Sequence, residues 1–171
     1  MPRYIAFLRG VSPLNAKMPE LKRCFESAGF EEVRTLLSSG NVAFSSRASK
    51  ETQLARKAEE AMEAHLGRTF GTIVRSASHL QDLINADPFE VLQLAHGAKP
   101  VVSFLPGALA STPSLPIELD GACIHAVRGL EILSSYVPSP KGPVFMSLLE
   151  RTFGKSITTR TLATVQKCAW A

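Results

Sequence analysis

Residues 32–46, EVRTLLSSGNVAFSS, set two short apolar runs on either side of Ser38-Ser39-Gly40-Asn41. Glycine and asparagine tolerate the positive φ that tight turns demand, so this stretch predicts two adjacent antiparallel strands. The hairpin constrains the fold through what flanks it. Upstream, RYIAFLRG predicts a strand over residues 3–9, and Pro19 opens a helix whose Leu21, Cys24, Phe25 and Ala28 share one face before Gly29 ends it. Downstream, residues 50–66 carry a helical stripe of Leu54, Ala58, Met62 and His65, and GTIVRS predicts a fourth strand. Strand, helix, strand, strand, helix, strand is the order of a ferredoxin-like unit.

The second half follows a looser version of the same plan. A short helix near residues 77–86 precedes a strand over 100–105 and a proline-rich stretch from Pro106 to Pro116. ACIHAVRGLEILSSYV predicts a second hairpin. Pro143 opens a helix bearing Phe145, Leu148, Leu149 and Phe153, which stops at Gly154, and a final helix is expected after Thr159. The expectation is an α+β protein: a ferredoxin-like βαββαβ half over 1–76, then a related, smaller α+β half over 77–171. The second half is expected to pack against the first, or to merge with it into one domain.

Three cysteines (Cys24, Cys123, Cys168) stand far apart with no CxxC spacing, which fits a reducing cytosol and buried apolar roles. His65, His79, His96 and His125 share no metal-ligand spacing, so neither a metal nor a cofactor is predicted. The N-terminus lacks a signal-peptide apolar core, and the longest uncharged run, 100–117, holds four prolines and is no membrane helix. A soluble, cytoplasmic protein without a membrane partner is expected. Residues 1–75 hold 12 basic and 8 acidic side chains, and residues 151–171 hold four basic ones and no acid. A surplus concentrated in this way points to an anionic partner.

Ferredoxin-like topology locates that partner. The loop after the first strand and the hairpin leave the same end of the sheet, so one rim collects Arg9, Asn15, Lys17, Ser39, Gly40 and Asn41. Glycine lets backbone amides approach an anion, and arginine adds a planar fork. Near the C-terminus, SITTRTLATVQK places Arg160, Thr164 and Lys167 within about 60° of one another on a helical wheel. Thr158 or Thr159 would be that helix's N-cap.

The segments PRYIAFLRGVSPLNAKMPELK, FEEVRTLLSSGNVAFSS and FGKSITTRTLATVQK resemble those that characterise DUF1697, a family of small proteins of unknown function. The resemblance spans nearly the whole chain. It implies an α+β fold with ferredoxin-like elements and no established activity. The family's first loop is commonly RGINVGGKN-like; this chain keeps Arg9, Gly10 and Lys17 but has Pro13 and Leu14 in place of the glycine pair. Ser39 to Val42 match the family's SGNV turn, and Thr159, Arg160, Thr164 and Lys167 match its TTR…T..K pattern.

No Ser-His-Asp or Cys-His order stands out, and neither a P-loop nor a Rossmann glycine pattern is present, so catalysis stays undecided. The first functional reading is a small phosphate- or carboxylate-bearing ligand held between the halves by Arg9, Asn15, Lys17, Ser39, Gly40, Asn41, Thr159, Arg160, Thr164 and Lys167. The alternatives are a nucleic-acid-binding module, for which the strand aromatics of RNA-binding sheets are lacking, and an interaction domain without a small ligand.

Overall fold

Alternation of apolar residues makes β1 (Arg3–Leu8) a central strand, with Tyr4, Ala6 and Leu8 on one face and Ile5 and Phe7 on the other. A computed structural model of the protein describes residues 1–139 and 143–171. After β1 come α1 (Met18–Ser27), β2 (Glu31–Leu36), β3 (Asn41–Ser45), α2 (Glu51–Leu66) and β4 (Thr72–Ser76). The strands pair antiparallel in the order β2-β3-β1-β4, which is the ferredoxin-like arrangement.

One face of this sheet is packed with aromatics. Phe44 lies between Tyr4, Phe25 and Phe30, with ring centroids at 5.7, 5.7 and 4.2 Å. Leu21, Cys24 and Phe25 of α1, with Leu54, Ala55, Ala58 and Met62 of α2, close over it. His65, expected on that stripe, is exposed in the last turn of α2.

The second sheet contains β5 (Lys99–Phe104), β6 (Ile117–Leu119), β7 (Ala122–Arg128), β8 (Glu131–Tyr136) and β9 (Thr158–Thr161), in the order β6-β7-β8-β5-β9. α3 (Ala77–Asn85) follows β4, α4 (Val144–Phe153) precedes β9, and α5 (Leu162–Ala169) follows it. Two compact units result: Met1–Asp82 with Gln166–Ala171, and Leu83–Val165. The terminal residues join the first unit through Gln81 Nε2, which donates to the Ala169 carbonyl at 2.8 Å, and Arg3 Nε, which donates to the Ala171 carbonyl at 3.0 Å.

Without β6, the second sheet reads β7-β8-β5-β9, the order of the first. The register repeats too. Ile5 pairs with Ala43 and Arg75, and Val102 pairs with Leu133 and Arg160. The Leu8 N–H donates to the Gly40 carbonyl at 2.8 Å, and the Leu105 N–H donates to the Leu130 carbonyl at 2.8 Å. Arg75 and Arg160 each donate Nη1 to the carbonyl of the preceding residue, at 3.0 and 2.9 Å. The sequences echo one another as Phe-Leu-Arg-Gly (7–10) and Phe-Leu-Pro-Gly (104–107), and as Arg75-Ser76 and Arg160-Thr161.

Three local expectations are corrected. The final helix does not begin after Thr159: Thr158–Thr161 is a strand, because this β-branched run completes the sheet beside β5. The helix cap is therefore Thr161, whose Oγ1 accepts the Thr164 N–H at 3.3 Å, rather than Thr158 or Thr159. In the first hairpin the positive φ falls on Leu37 (59°) and Gly40 (87°), while Asn41 is the first residue of β3. Among the cysteines, Cys24 and Cys168 are buried, but Cys123 is half-buried, since it alternates away from Ala122 and Ile124 on β7.

Candidate functional site

The predicted residues fall into two groups, one at the end of the first sheet and one along β9 and α5, of which Lys167 lies in the segment that returns to the first unit. In the first group, the loop after β1 and the β2–β3 hairpin touch. A Cβ built on Gly40 would stand 2.9 Å from Val11 Cβ and 3.0 Å from Leu8 Cβ, so the hairpin reaches the loop only with glycine there. Asn15 holds the loop itself: its Oδ1 accepts the Ser12 N–H at 2.8 Å, and its Nδ2 donates to the Gly10 carbonyl at 2.8 Å. Asn41 is fully buried and donates to the Leu36 carbonyl and to Ser39 Oγ, both at 3.0 Å. Lys17 is exposed at the N-cap position of α1. The Arg9 guanidinium lies over Gly71, where a Cβ would come within 2.5 Å of Nη2. Glu59 is near it: burial pushes that carboxyl up, opposed by the Arg9 charge and by a hydrogen bond from the Thr72 backbone. The polar groups of Asn15 and Asn41 are thus directed into the loop and turn they hold.

The second group is arranged differently. Thr159 and Arg160 stand on β9, while Thr164 and Lys167 follow on α5, where Lys167 is exposed. Thr164 Oγ1 lies 3.1 Å from Thr161 Oγ1, within the helix cap. Thr159 Oγ1 lies 2.8 Å from Ser103 Oγ. Thr159, Arg160 and Thr161 line one side of a cavity of about 400 Å³ in the second unit. Val101, Asp120, Tyr136 and Phe145 line it as well, so one carboxylate shares the wall with Arg160, and the two rings are stacked at 4.9 Å and 20°.

The repeated register explains the space. In the first sheet the row Tyr4–Phe44 fills this position with two aromatics beneath α1. The matching row of the second sheet is Val101–Ser134, and the chain between β5 and β7 supplies a proline-rich loop and β6 instead of a helix. Ser134 is fully buried, and its Oγ has no hydrogen-bond partner among the described residues. Nothing in the sequence pattern marked Tyr136, Phe145 or Ser134, because the cavity depends on register between strands far apart in the chain.

A family model described as "Protein of unknown function (DUF1697)" matches residues 1–118. No curated protein matches the chain. A solved structure of a conserved bacterial protein from Streptococcus pneumoniae is similar, with 23% sequence identity and a TM-score of 0.72 over 99% of this chain and 97% of that one. At that identity the likeness shows the fold. No described helix is long and apolar enough to cross a membrane.

Proposed function

Because the chain belongs to the DUF1697 family, whose members are described only as proteins of unknown function, we propose a function from its own site: the second unit binds a small organic anion with a flat apolar body. The observation that carries this reading is the cavity of about 400 Å³ that joins an arginine and two threonines to a stacked Tyr136–Phe145 pair. Small-ligand sites combine apolar walls with a few orienting polar groups in this way. Arg160, whose Nη1 donates to the Thr159 carbonyl, brings a positive charge to the cavity wall, while Thr159 and Thr161, which alternate with it along β9, bring hydroxyls already bonded to Ser103 and Thr164. Of the residues read from the sequence, Thr159 and Arg160 are assigned to the ligand. Asn15, Gly40 and Asn41 are assigned to loop and turn structure, and Arg9, Lys17, Ser39, Thr164 and Lys167 to the surroundings of the two sheets' ends.

Nucleic acid is the weaker partner. Phe7, the aromatic on the sheet face away from α1 and α2, is fully buried and offers no stacking platform.

Thermal melts with benzoate-type carboxylates, aryl phosphates and inorganic phosphate test the proposal. A flat anion at 100 times its Kd should stabilise by about 2.7 kcal/mol, and Arg160→Gln should abolish the shift. Equal shifts with inorganic phosphate alone, or an unchanged shift in Arg160→Gln, would remove the cavity as the binding site.

A further inference from the structure

On the face of the second sheet turned away from Ala122 and Ile124, three polar side chains form a hydrogen-bonded line. Cys123 Sγ lies 3.3 Å from His125 Nδ1 and also donates to Glu118 Oε1 at 4.0 Å, and His125 Nε2 lies 2.7 Å from Ser135 Oγ. Cys123 and Ser135 stand opposite each other in the β7–β8 ladder. His125 sits where that ladder gains one residue, between Ile124 and Ala126, and such bulges re-aim side chains. A cavity of about 360 Å³, which shares Asp120 and Ala122 with the larger one, opens onto the line, with Gln93, Glu118 and Gly121 also on its walls.

The first sheet shows what this row does when it is only structural. There Arg3 pairs with Ser45, and Arg3 Nη1 donates to Ser45 Oγ at 3.1 Å. The corresponding pair in the second sheet is Pro100 and Ser135. Proline has no side-chain donor, so Ser135 meets His125 instead. From sequence no Cys-His order stands out, and Cys-Ile-His is a two-residue spacing on one strand whose side chains meet beside the bulge.

We propose that Cys123 is a nucleophile, with His125 as its base and Ser135 as the residue that positions the imidazole, and that it accepts the acyl group of a small uncharged ester or thioester. The line matches the order of nucleophile, base and orienting group. With Nε2–H held toward Ser135, Nδ1 is the acceptor. As the sulfur attacks the carbonyl carbon, the Sγ–H proton moves to Nδ1. The tetrahedral centre then expels alkoxide or thiolate, which takes that proton from Nδ1. The products are a Cys123 thioester and a free alcohol or thiol, with nothing oxidised or reduced. Burial, then Glu118, pushes the Cys123 thiol up, and burial pulls His125 down despite an opposing effect of Glu118, so the proton moves to Nδ1 only as the sulfur attacks. A neutral thiol therefore faces a neutral imidazole. The carboxylates of Glu118 and Asp120 on the same cavity disfavour an anionic substrate.

The probe is p-nitrophenyl acetate with the full chain. One p-nitrophenolate per molecule should be released in a burst, with the acetyl group located on Cys123 by peptide mass spectrometry and absent in Cys123→Ser. The acylation rate should rise with pH through the His125 titration and then level off until the thiol ionises. His125→Gln should be at least tenfold slower at neutral pH and lose the plateau, and Ser135→Ala should shift the lower inflection. An unacetylated Cys123, or a wild-type rate that climbs tenfold per pH unit with no plateau, overturns the proposal. That profile needs no variant, so it decides the matter even where His125→Gln fails to fold.

Discussion

The first sheet and the second share strand order and register, yet they fill the space beside their central strands in opposite ways. In the first, Tyr4 and Phe44 stack and α1 closes over them. In the second, Val101 and Ser134 occupy the same row, a proline-rich loop replaces the helix, and a cavity remains. The row at Arg3–Ser45 tells the same story: a structural arginine in one sheet, a Cys123–His125–Ser135 line in the other. One copy of the topology fills this space with aromatics, and the copy with smaller side chains leaves a cavity. Function lives in sites built on a fold rather than in the fold itself.

The largest test of this contrast lies in the paired row. Phe44→Ala should cost about 3–5 kcal/mol in urea unfolding, since it empties the centre of an aromatic cluster. Ser134→Ala should be neutral or stabilising by up to about 1 kcal/mol, because it removes a buried hydroxyl that no described side chain satisfies. Comparable losses in both variants would break the comparison by showing that the second sheet is packed as tightly as the first.

A smaller effect probes what the units have in common. Ser76 Oγ accepts the His79 N–H at 3.2 Å and Thr161 Oγ1 accepts the Thr164 N–H at 3.3 Å, so matching residues cap α3 and α5. Ser76→Ala and Thr161→Ala should each cost about 1 kcal/mol. If only one of the two lowered the melting temperature, the equivalence of the strand-to-helix junctions would fail.

The smallest effect belongs to the second sheet alone. His125 titrates below its usual 6.5 in the fold, so the unfolded chain takes up the proton more readily. Its contribution to stability is present above that value and is lost as pH falls through the lower, folded-state value. Melts between about pH 7.5 and 5 should show a decline that His125→Gln reduces. An identical decline in the variant would assign the effect to other groups.

Much of the architecture was legible because it rests on local signals: Pro19 opening α1, the hairpin glycine, and the apolar stripe of α2. The strand β9 was not, because TTRT is short and Arg160, Thr164 and Lys167 happen to keep helical spacing across a strand-to-helix junction. Only its partner β5 decides the matter. The return of residues 166–171 to the first unit depends on hydrogen bonds from Gln81 and Arg3, which no periodicity encodes. At the site, Asn15 and Asn41 were selected for their chemistry, and that chemistry closes the loop and turn they belong to. Tyr136 and Phe145 were passed over because apolar residues on a strand and a helix look like core from sequence.

The irregular pairing of β2 has a consequence for behaviour at high concentration. β2 is an outer strand of the first sheet, its ladder to β3 shifts register between Glu31 and Arg34, and Glu32 there has a φ of 48°. Glu31, Glu32 and Arg34 are all exposed along it. A kinked, charged border of this kind gives a second molecule no straight row of amides to zip against, so it opposes edge-to-edge aggregation.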